Sequence, residues 1–196
     1  MFRSFLFLTA FLFTCSAFCE ESYSAKLKEY LKLCIGDSEY STNSPDPNME
    51  GSLFKWRFES EYDVVYANKK LFSFSASEHS YTGGAHGSNR VTVGSLLRGS
   101  GKRVTLKDIA PTEQERKELL RAITLQTAKR YKCSLKELPG KLQHMPFLTE
   151  NFYFSKDGIV VVYNEYSVAC FADSPLKILV PYSELKKLKK LKNYGF

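Results

Sequence analysis

Apolar and polar residues alternate between residues 54 and 66. The apolar positions are Phe54, Trp56, Phe58, Tyr62, Val64 and Tyr66, and the charged positions between them are Lys55, Arg57, Glu59, Glu61 and Asp63. Successive side chains of a strand point to opposite faces, so this pattern predicts a strand with one buried and one wet face. A second apolar run, Leu71–Ala76, follows after a short turn, and the two runs together predict an antiparallel hairpin.

Three later segments also have the pattern of strands. Alternating apolar residues predict a third strand over 91–97 and a last strand over 176–180. Between them, Phe152–Phe154 and Ile159–Tyr163 flank the Lys156-Asp157-Gly158 turn. Both runs are apolar on both faces, which predicts a hairpin at the centre of the sheet.

Helices are predicted in three places. Ser22–Ile35 repeats apolar residues at spacings of three and four. Thr112 with Glu115 forms a capping box, which predicts a helix from Glu113 to about Tyr131 with Leu119, Leu120, Ile123 and Ala128 facing inward. Ser183 is expected to begin a terminal helix that carries Leu185, Leu188 and Leu191 along one stripe. The predicted fold class is α+β, an antiparallel sheet with helices packed on one face, as a single domain over residues 20–196.

Residues 1–19 are interpreted as a signal peptide. Arg3 supplies the positive end, Phe5–Phe13 form a short apolar core, and Ala17 and Cys19 are small residues suited to cleavage. The apolar run is shorter than the roughly 20 residues that span a bilayer. We therefore expect an exported protein, periplasmic or extracellular, without a transmembrane helix in the mature chain. A lipoprotein, with Leu12–Cys15 as its lipobox, is the alternative.

The charge of the chain favours anionic partners. Lysine and arginine number 28 against 21 acidic residues, and removal of Arg3 with the signal peptide lowers the net charge from +7 to +6. This balance suits adhesion to cell-wall polymers, lipid headgroups or acidic proteins. Nucleic acid is not an expected partner, because no nucleic-acid-binding motif accompanies the charge.

Three cysteines remain after cleavage, and export permits a disulfide between two of them. Cys34 with Cys133 is the first choice, because both lie at the ends of predicted helices. The alternative is that these two and Cys170 are small buried apolar residues. None belongs to a CxxC pair or lies near histidines at ligand spacing, so no metal or other cofactor is expected.

Four segments carry a family resemblance. They are Tyr81-Thr82-Gly83-Gly84-Ala85-His86-Gly87, Gly101–Ile109, Asn151–Tyr163 and Val180–Leu185. In this order they resemble the extracytoplasmic domain of RsiV-type anti-sigma factors, a domain that also accompanies PdaC-type peptidoglycan deacetylases. The resemblance spans about Leu53 to Leu188 and implies a recognition role, because in the sensors the domain binds lysozyme. Gly83, Gly84 and Gly87 are expected to shape a turn, since glycine adopts positive φ without steric cost.

The chain is interpreted as a non-enzyme. Its histidines are His79, His86 and His144, and the sequence shows neither a third metal ligand nor a nucleophile–base pair beside the first two. In the deacetylases the resemblance points to an accessory domain, whose hydrolytic partner domain is separate. The alternative is a small envelope hydrolase acting on cell-wall glycan or peptide through His86 or His79 and a nearby carboxylate.

The predicted function is recognition of a protein or cell-wall glycan, with lysozyme and peptidoglycan as first candidates. Loops carry recognition more often than the scaffold that positions them. Three segments are therefore predicted to contact the ligand: the acidic Gly36–Gly51 loop, the glycine turn Tyr81–Gly87 and the basic Arg98–Arg103 turn. The residues predicted to contact ligand are Asp37, Glu39, Asp46, Glu50, Tyr81, His86, Arg98 and Arg103. The oligomeric state is left open.

The C-terminal segment Lys186–Lys192 is rich in lysine, with leucine at every third position. It is interpreted as a cap on the domain with a solvated lysine face. The alternative is a helix that lies on a membrane surface.

Overall fold

The computed structural model describes residues 57–81 and 86–196. The predicted signal peptide, the Ser22–Ile35 helix, Cys34 and the Gly36–Gly51 loop lie outside the described residues, as do Gly83 and Gly84. The described part contains six strands, two α-helices and several short 3₁₀ segments. Neither α-helix has the length and apolarity needed to span a bilayer.

The first sheet contains β1 (Arg57–Ala67), β2 (Leu71–Tyr81) and β3 (Ser88–Leu97) in that order, all antiparallel. The predicted hairpin and third strand are therefore confirmed. Val64 was expected on the buried face, but this residue is 56% exposed, and its neighbour Val65 is 43% exposed. The reason is a register shift between Val64 and Tyr66, which interrupts the alternation. Beyond it, the Tyr66 ring returns to the core, 6.0 Å from the ring of Phe196.

The second sheet contains β4 (Phe152–Phe154), β5 (Gly158–Tyr163) and β6 (Leu176–Pro181), again antiparallel and in chain order. Every residue of β5 is buried and β5 is the middle strand of its sheet, which confirms the predicted central position for this half of the hairpin, whereas β4 is an edge strand. The antiparallel α+β class is confirmed, with its strands divided between two three-stranded sheets.

Two buried serines join the sheets. Ser73 Oγ donates a hydrogen bond to the carbonyl of Phe154 at 2.7 Å, and the amide of Phe154 donates to Ser95 Oγ at 3.1 Å. The two hydroxyl oxygens lie 2.7 Å apart, and both side chains are fully buried. Polar atoms at this depth must be paired, so these hydroxyls hold β4 against β2 and β3.

The helices are α1 (Leu106–Ile109) and α2 (Glu113–Arg130), and α2 packs on β6. The capping box predicted for α2 is present: Thr112 Oγ1 accepts from the Glu115 amide at 3.2 Å and donates to its carboxylate at 2.8 Å. The buried apolar residues of α2 are Leu119, Ala122, Ile123 and Ala128, whereas Leu120 is half-buried.

The C-terminal segment is not the α-helix predicted to begin at Ser183. It forms 3₁₀ turns at Tyr182–Glu184 and Lys189–Tyr194 instead. Its leucines recur at a strict spacing of three, which suits the three residues per turn of a 3₁₀ helix better than the 3.6 of an α-helix. Leu185, Leu188 and Leu191 are all buried, so the segment caps the core as expected.

Asp108 closes a capping box on α1. Its Oδ2 accepts from the amide and hydroxyl of Thr105 at 2.9 and 2.8 Å, and Lys102 Nζ lies 3.6 Å from Oδ1. Partial burial raises the pKa of Asp108, but the Thr105 hydrogen bonds and the Lys102 charge outweigh burial and hold the pKa below its ordinary value. The ionised carboxylate is therefore favoured in the folded state.

We expect the Asp108 contribution to stability to disappear in acid. The pKa of Asp108 is lower in the folded state than in the unfolded state, so ionisation of this carboxyl stabilises the fold. The stabilisation is fully present above the unfolded value of 3.8 and is lost as the pH falls through the folded pKa. Asp108→Asn should lower the melting temperature at pH 7, and the gap from wild type should narrow as the pH falls below 3.8. Asp63→Asn, on exposed strand β1, is the control. A gap that is as wide in acid as at pH 7 would contradict this account.

Candidate functional site

An open cleft of about 480 Å³ lies where the start of β3 meets the loop after β5. Its lining includes His86, Asn89, Arg90, Asn164, Glu165 and Tyr166. The first three residues belong to the entry into β3, and the last three follow the central strand. The cleft is therefore formed between the two sheets rather than by either alone.

Side chains from the loop after β5 bind the backbone of β3. Asn164 Oδ1 accepts from the Val91 amide at 2.7 Å. The Glu165 carboxylate accepts from the Asn89 amide at 2.5 Å and from Ser88 Oγ at 3.2 Å. These contacts satisfy backbone donors that a neighbouring strand would otherwise satisfy. Asn164 and Glu165 thus fix one wall of the cleft against the other.

Asn151, just before β4, makes the most extensive contact of this kind. Its Oδ1 accepts from the Val93 amide at 2.8 Å, and its Nδ2 donates to the carbonyls of Val91 at 2.9 Å and Val162 at 3.1 Å. One side chain therefore links β3 of the first sheet to β5 of the second. We call Asn151, Asn164 and Glu165 the bridging residues.

Three rings form an aromatic ledge at the cleft. His86 stacks on Phe171 with ring centroids 4.0 Å apart, and the Tyr166 ring lies 6.2 Å from that of Phe171. Tyr166 is 48% exposed and has a φ of 58°, in the left-handed region. This conformation costs a residue with a side chain roughly 1–2 kcal/mol. Such strain in an exposed aromatic residue is typical of functional sites.

The imidazoles of this region bond neutral groups. His86 Nδ1 donates to the carbonyl of Gly87 at 3.0 Å, and His79 Nδ1 lies 2.8 Å from Asn89 Oδ1. The hydroxyl of Ser88 donates to Glu165 and not to a histidine. Within residues 57–81 and 86–196, no three His, Cys, Asp or Glu side chains gather closely enough to hold a metal ion.

The glycine turn is described only at its two ends. Tyr81 ends β2, His86 enters the cleft, and Gly87 follows it. Gly87 does not have positive φ; its constraint is space. A Cβ at Gly87 would lie 2.7 Å from both the Cε1 atom of His79 and the carbonyl oxygen of Ser80. The structural role of Gly87 stays a prediction, now with close packing as its physical reason.

The basic turn lies at the other end of β3 from the cleft. A ten-residue strand is roughly 30 Å long, so Arg98 and Arg103 are not brought together with His86. Arg98 Nε donates to the carbonyl of Asn68, and Arg103 Nη2 donates to those of Val93 and Glu150. Both guanidinium groups therefore hold backbone in place. Their predicted contact with ligand remains a prediction.

The remaining predicted residues are only partly described. Asp37, Glu39, Asp46 and Glu50 lie outside the described residues. Cys133 is half-buried and Cys170 is exposed, and within the described residues neither forms a disulfide. Since Cys34 is not described, its pairing with Cys133 stays a prediction.

Tyr166, Phe171 and Asn164 were not selected from the sequence. The available signal was a polar turn, Asn164-Glu165-Tyr166, directly after the central strand. Functional side chains often lie at such strand ends, on loops that a rigid scaffold positions. Asn164 and Glu165 contact residues of β3 that lie more than 70 positions earlier in the chain, and no local sequence pattern shows such contacts.

Comparison with known proteins gives two family matches. Residues 15–89 match the family model described as "Deacetylase PdaC", and residues 107–183 match the one described as "Protein of unknown function (DUF3298)". None of the curated proteins matches the chain.

Two solved structures share the fold. A DUF3298 family member from Bacteroides fragilis aligns with a TM-score of 0.64 at 24% identity, over 86% of this chain and 66% of that one. A DUF3298 family protein from Pseudomonas aeruginosa aligns with a TM-score of 0.56 at 21% identity, over 67% of this chain and 61% of that one. The chain thus spans just under two thirds of the length of each. The chain is thus similar to a PdaC family model over its first part and to a DUF3298 family model over its later part, and it shares the fold of the two DUF3298 structures.

Proposed function

We propose that this protein is an exported, non-catalytic binding protein of the cell envelope, and that its cleft holds a cell-wall glycan. The observation that carries the proposal is the aromatic ledge, where Tyr166 stands exposed on strained backbone beside an open cleft. The RsiV-like recognition role suggested by the sequence is part of the same proposal.

The chemistry of the cleft suits a sugar polymer. Aromatic rings offer flat apolar faces for the C–H side of a sugar ring, and a tyrosine ring loses little conformational entropy when it is covered. Asn89 and Arg90 of β3, both exposed residues, also line the cleft. Polar groups at the edge of an apolar surface orient a ligand by its hydroxyl groups.

Arg90 favours peptidoglycan among glycans. Its side chain is exposed, and within the described residues it has no hydrogen bond or ion pair. A guanidinium pairs well with carboxylates, and peptidoglycan carries free carboxylates on its stem peptides. Glu78 lies opposite Arg90 in the β2–β3 pairing, and a neutral glycan would offer the guanidinium no further carboxylate.

The contacts of the histidines support binding without turnover. A hydrolase requires a nucleophile or water held by a general base within hydrogen-bond reach. In the described residues, His79 Nδ1 bonds the side-chain amide oxygen of Asn89, and His86 Nδ1 bonds the carbonyl of Gly87. The Glu165 carboxylate accepts hydrogen bonds from Ser88 and from the Asn89 amide. The alternative, a small envelope hydrolase, therefore has less support.

Replacing Tyr166 by glycine should separate binding from stability. Glycine adopts the observed φ without strain, so the melting temperature should stay level or rise. Loss of the ring should weaken binding to purified peptidoglycan sacculi about 30-fold, as loss of a binding hot spot of about 2 kcal/mol does. Co-sedimentation measures the binding. Phe147→Ala is a matched control, because Phe147 is an aromatic residue of similar exposure, 45%.

Three outcomes would contradict the proposal. If Tyr166→Gly and wild type co-sediment equally with sacculi, the cleft does not take part in recognition. Release of acetate, sugar or peptide from the sacculi would establish the hydrolase alternative. Retention by immobilised lysozyme without retention by sacculi would make the ligand a protein, and the Gly36–Gly51 loop would become the first segment to delete.

A further inference from the structure

The C-terminal segment separates its apolar and charged residues completely. Leu185, Leu188 and Leu191 are buried in the core, whereas Lys186, Lys190 and Lys192 are exposed. None of the three lysines has an acidic partner within the described part of the chain. Their ammonium groups are therefore available to an external anion.

Two further basic segments lie against this one. Lys70 Nζ donates to the carbonyl of Asn193 at 2.8 Å, and Asn68 Nδ2 donates to that of Tyr194 at 3.0 Å. Helix α1 also packs on the 3₁₀ turn Lys189–Tyr194. This places exposed Lys69 and Lys107 beside the terminal lysines. We call Lys69, Lys107, Lys186, Lys190 and Lys192 the lysine face.

The positive charge of the protein is concentrated in these segments. Residues 68–70, 98–109 and 182–196 contain eleven lysines and arginines against two acidic residues, an excess of nine, and the whole chain has +7. Both acids already have cationic partners, since Asp108 lies near Lys102 and Glu184 near Lys129. The acids of α2 that reach the C-terminal segment, Glu115 and Glu118, lie beside Lys189 and Lys187, which are not part of the lysine face. The lysine face therefore has no acidic partner among the described residues.

We propose that the lysine face docks on a membrane surface through anionic phospholipid headgroups. Its lysines come from three segments distant in sequence that contact one another, so the charge belongs to a patch of the folded surface and not to one stretch of chain. The leucines are already buried, so the attraction is electrostatic and involves no apolar insertion. Lysines near an anionic leaflet are attracted in this way, and the attraction is screened by salt.

This docking would be independent of the cleft. The Arg98 amide donates a hydrogen bond to the carbonyl of Lys70. This bond lies beside the Leu71–Leu97 pair, at the end of β3 opposite to the cleft. A chain held by its lysine face would thus have the cleft at the far end of a strand roughly 30 Å long.

The test uses vesicles of phosphatidylglycerol and phosphatidylcholine, with pure phosphatidylcholine as the neutral surface. The triple variant Lys186→Gln, Lys190→Gln, Lys192→Gln should bind the anionic vesicles about 100-fold more weakly, since each lysine near the surface contributes about 1 kcal/mol and 1.4 kcal/mol is tenfold. The control is Lys136→Gln, Lys156→Gln, Lys177→Gln, which removes the same charge at scattered exposed positions. It should bind within about threefold of wild type.

The outcomes separate this proposal from its rivals. Wild-type binding that falls steeply with added NaCl, together with the loss in the triple variant, supports docking by the lysine face. Equal losses in both triple variants would overturn it, because net charge alone would then explain binding. Binding to soluble polyphosphate but not to vesicles would also overturn it. The Tyr166→Gly variant should bind vesicles like wild type, so failure of the cleft proposal would be visible separately.

Discussion

Replacing Gly158 by alanine should destabilise the protein by about 3–4 kcal/mol, close to the limit for one added methyl group. Gly158 begins β5 and pairs with Pro181 of β6. A Cβ at this position would lie 2.1 Å from the carbonyl oxygen of Val180 and 2.9 Å from the Cα of Pro181. Both contacts are with backbone, so no side chain can rotate away. The two central strands would have to move apart.

Urea unfolding of Gly158→Ala measures this loss. The matched control is Gly140→Ala, because a Cβ on Gly140 meets no atom within 4 Å. That variant should be neutral or slightly stabilised, since alanine reduces the entropy of the unfolded chain. Equal midpoints for the two alanine variants would show that β5 and β6 are not as closely packed as described.

Replacing Asn151 by alanine should cost about 3 kcal/mol, because it leaves three backbone groups without their partner and each buried one costs 1–3 kcal/mol. The groups are the amide of Val93 and the carbonyls of Val91 and Val162. Val91, Val93 and Val162 are buried residues, so water is a poor substitute. The loss should include faster amide exchange at Val93, whose acceptor is removed.

Asn151→Asp tests the direction of these bonds. Aspartate keeps an acceptor for the Val93 amide, but it places an oxygen against the carbonyls of Val91 and Val162. It should therefore be at least as destabilising as alanine at neutral pH. Asn193→Ala, at an exposed position, is the control. A fully stable Asn151→Asp variant would contradict the assigned amide orientation.

The strands could be predicted because their apolar residues either alternate with polar ones or follow one another without interruption. Alternation identified β1, β3 and β6, and apolarity on both faces identified β5 as central. Helix α2 was predictable from a local signal, the capping box of Thr112 and Glu115. In each case the physical cause acts within a few residues of the chain, where a sequence pattern can show it.

Other features depend on contacts that the local pattern does not contain. The exposure of Val64 follows from a register shift against β2. The division into two sheets depends on where Phe154 meets Ser73 and Ser95, which lie about 60 to 80 positions earlier. The 3₁₀ turns at the C-terminus were signalled by the strict spacing of leucines, which was interpreted as α-helical.

Only the side of the candidate site that contains His86 could be predicted from the sequence. His86 was selected because it lies in a glycine-rich turn, and it does line the cleft. Tyr166 and Phe171 join it through the fold, from a segment with no motif of its own. The basic turn was selected for its charge, but Arg98 bonds a backbone carbonyl beside the opposite end of β3, and Arg103 bonds that of Val93 in the middle of the strand.

The cleft is also the meeting point of the two family matches. His86 and Asn89 lie within the segment that matches one family, and Asn164 to Tyr166 lie within the segment that matches the other. The bridging residues hold the two halves together by bonding mainly to main-chain amides and carbonyls, which every sequence supplies. Recombination between related genes could therefore replace one wall of the cleft and keep the other. Ligand preference would then evolve in two separable halves, while the join between them stays the same.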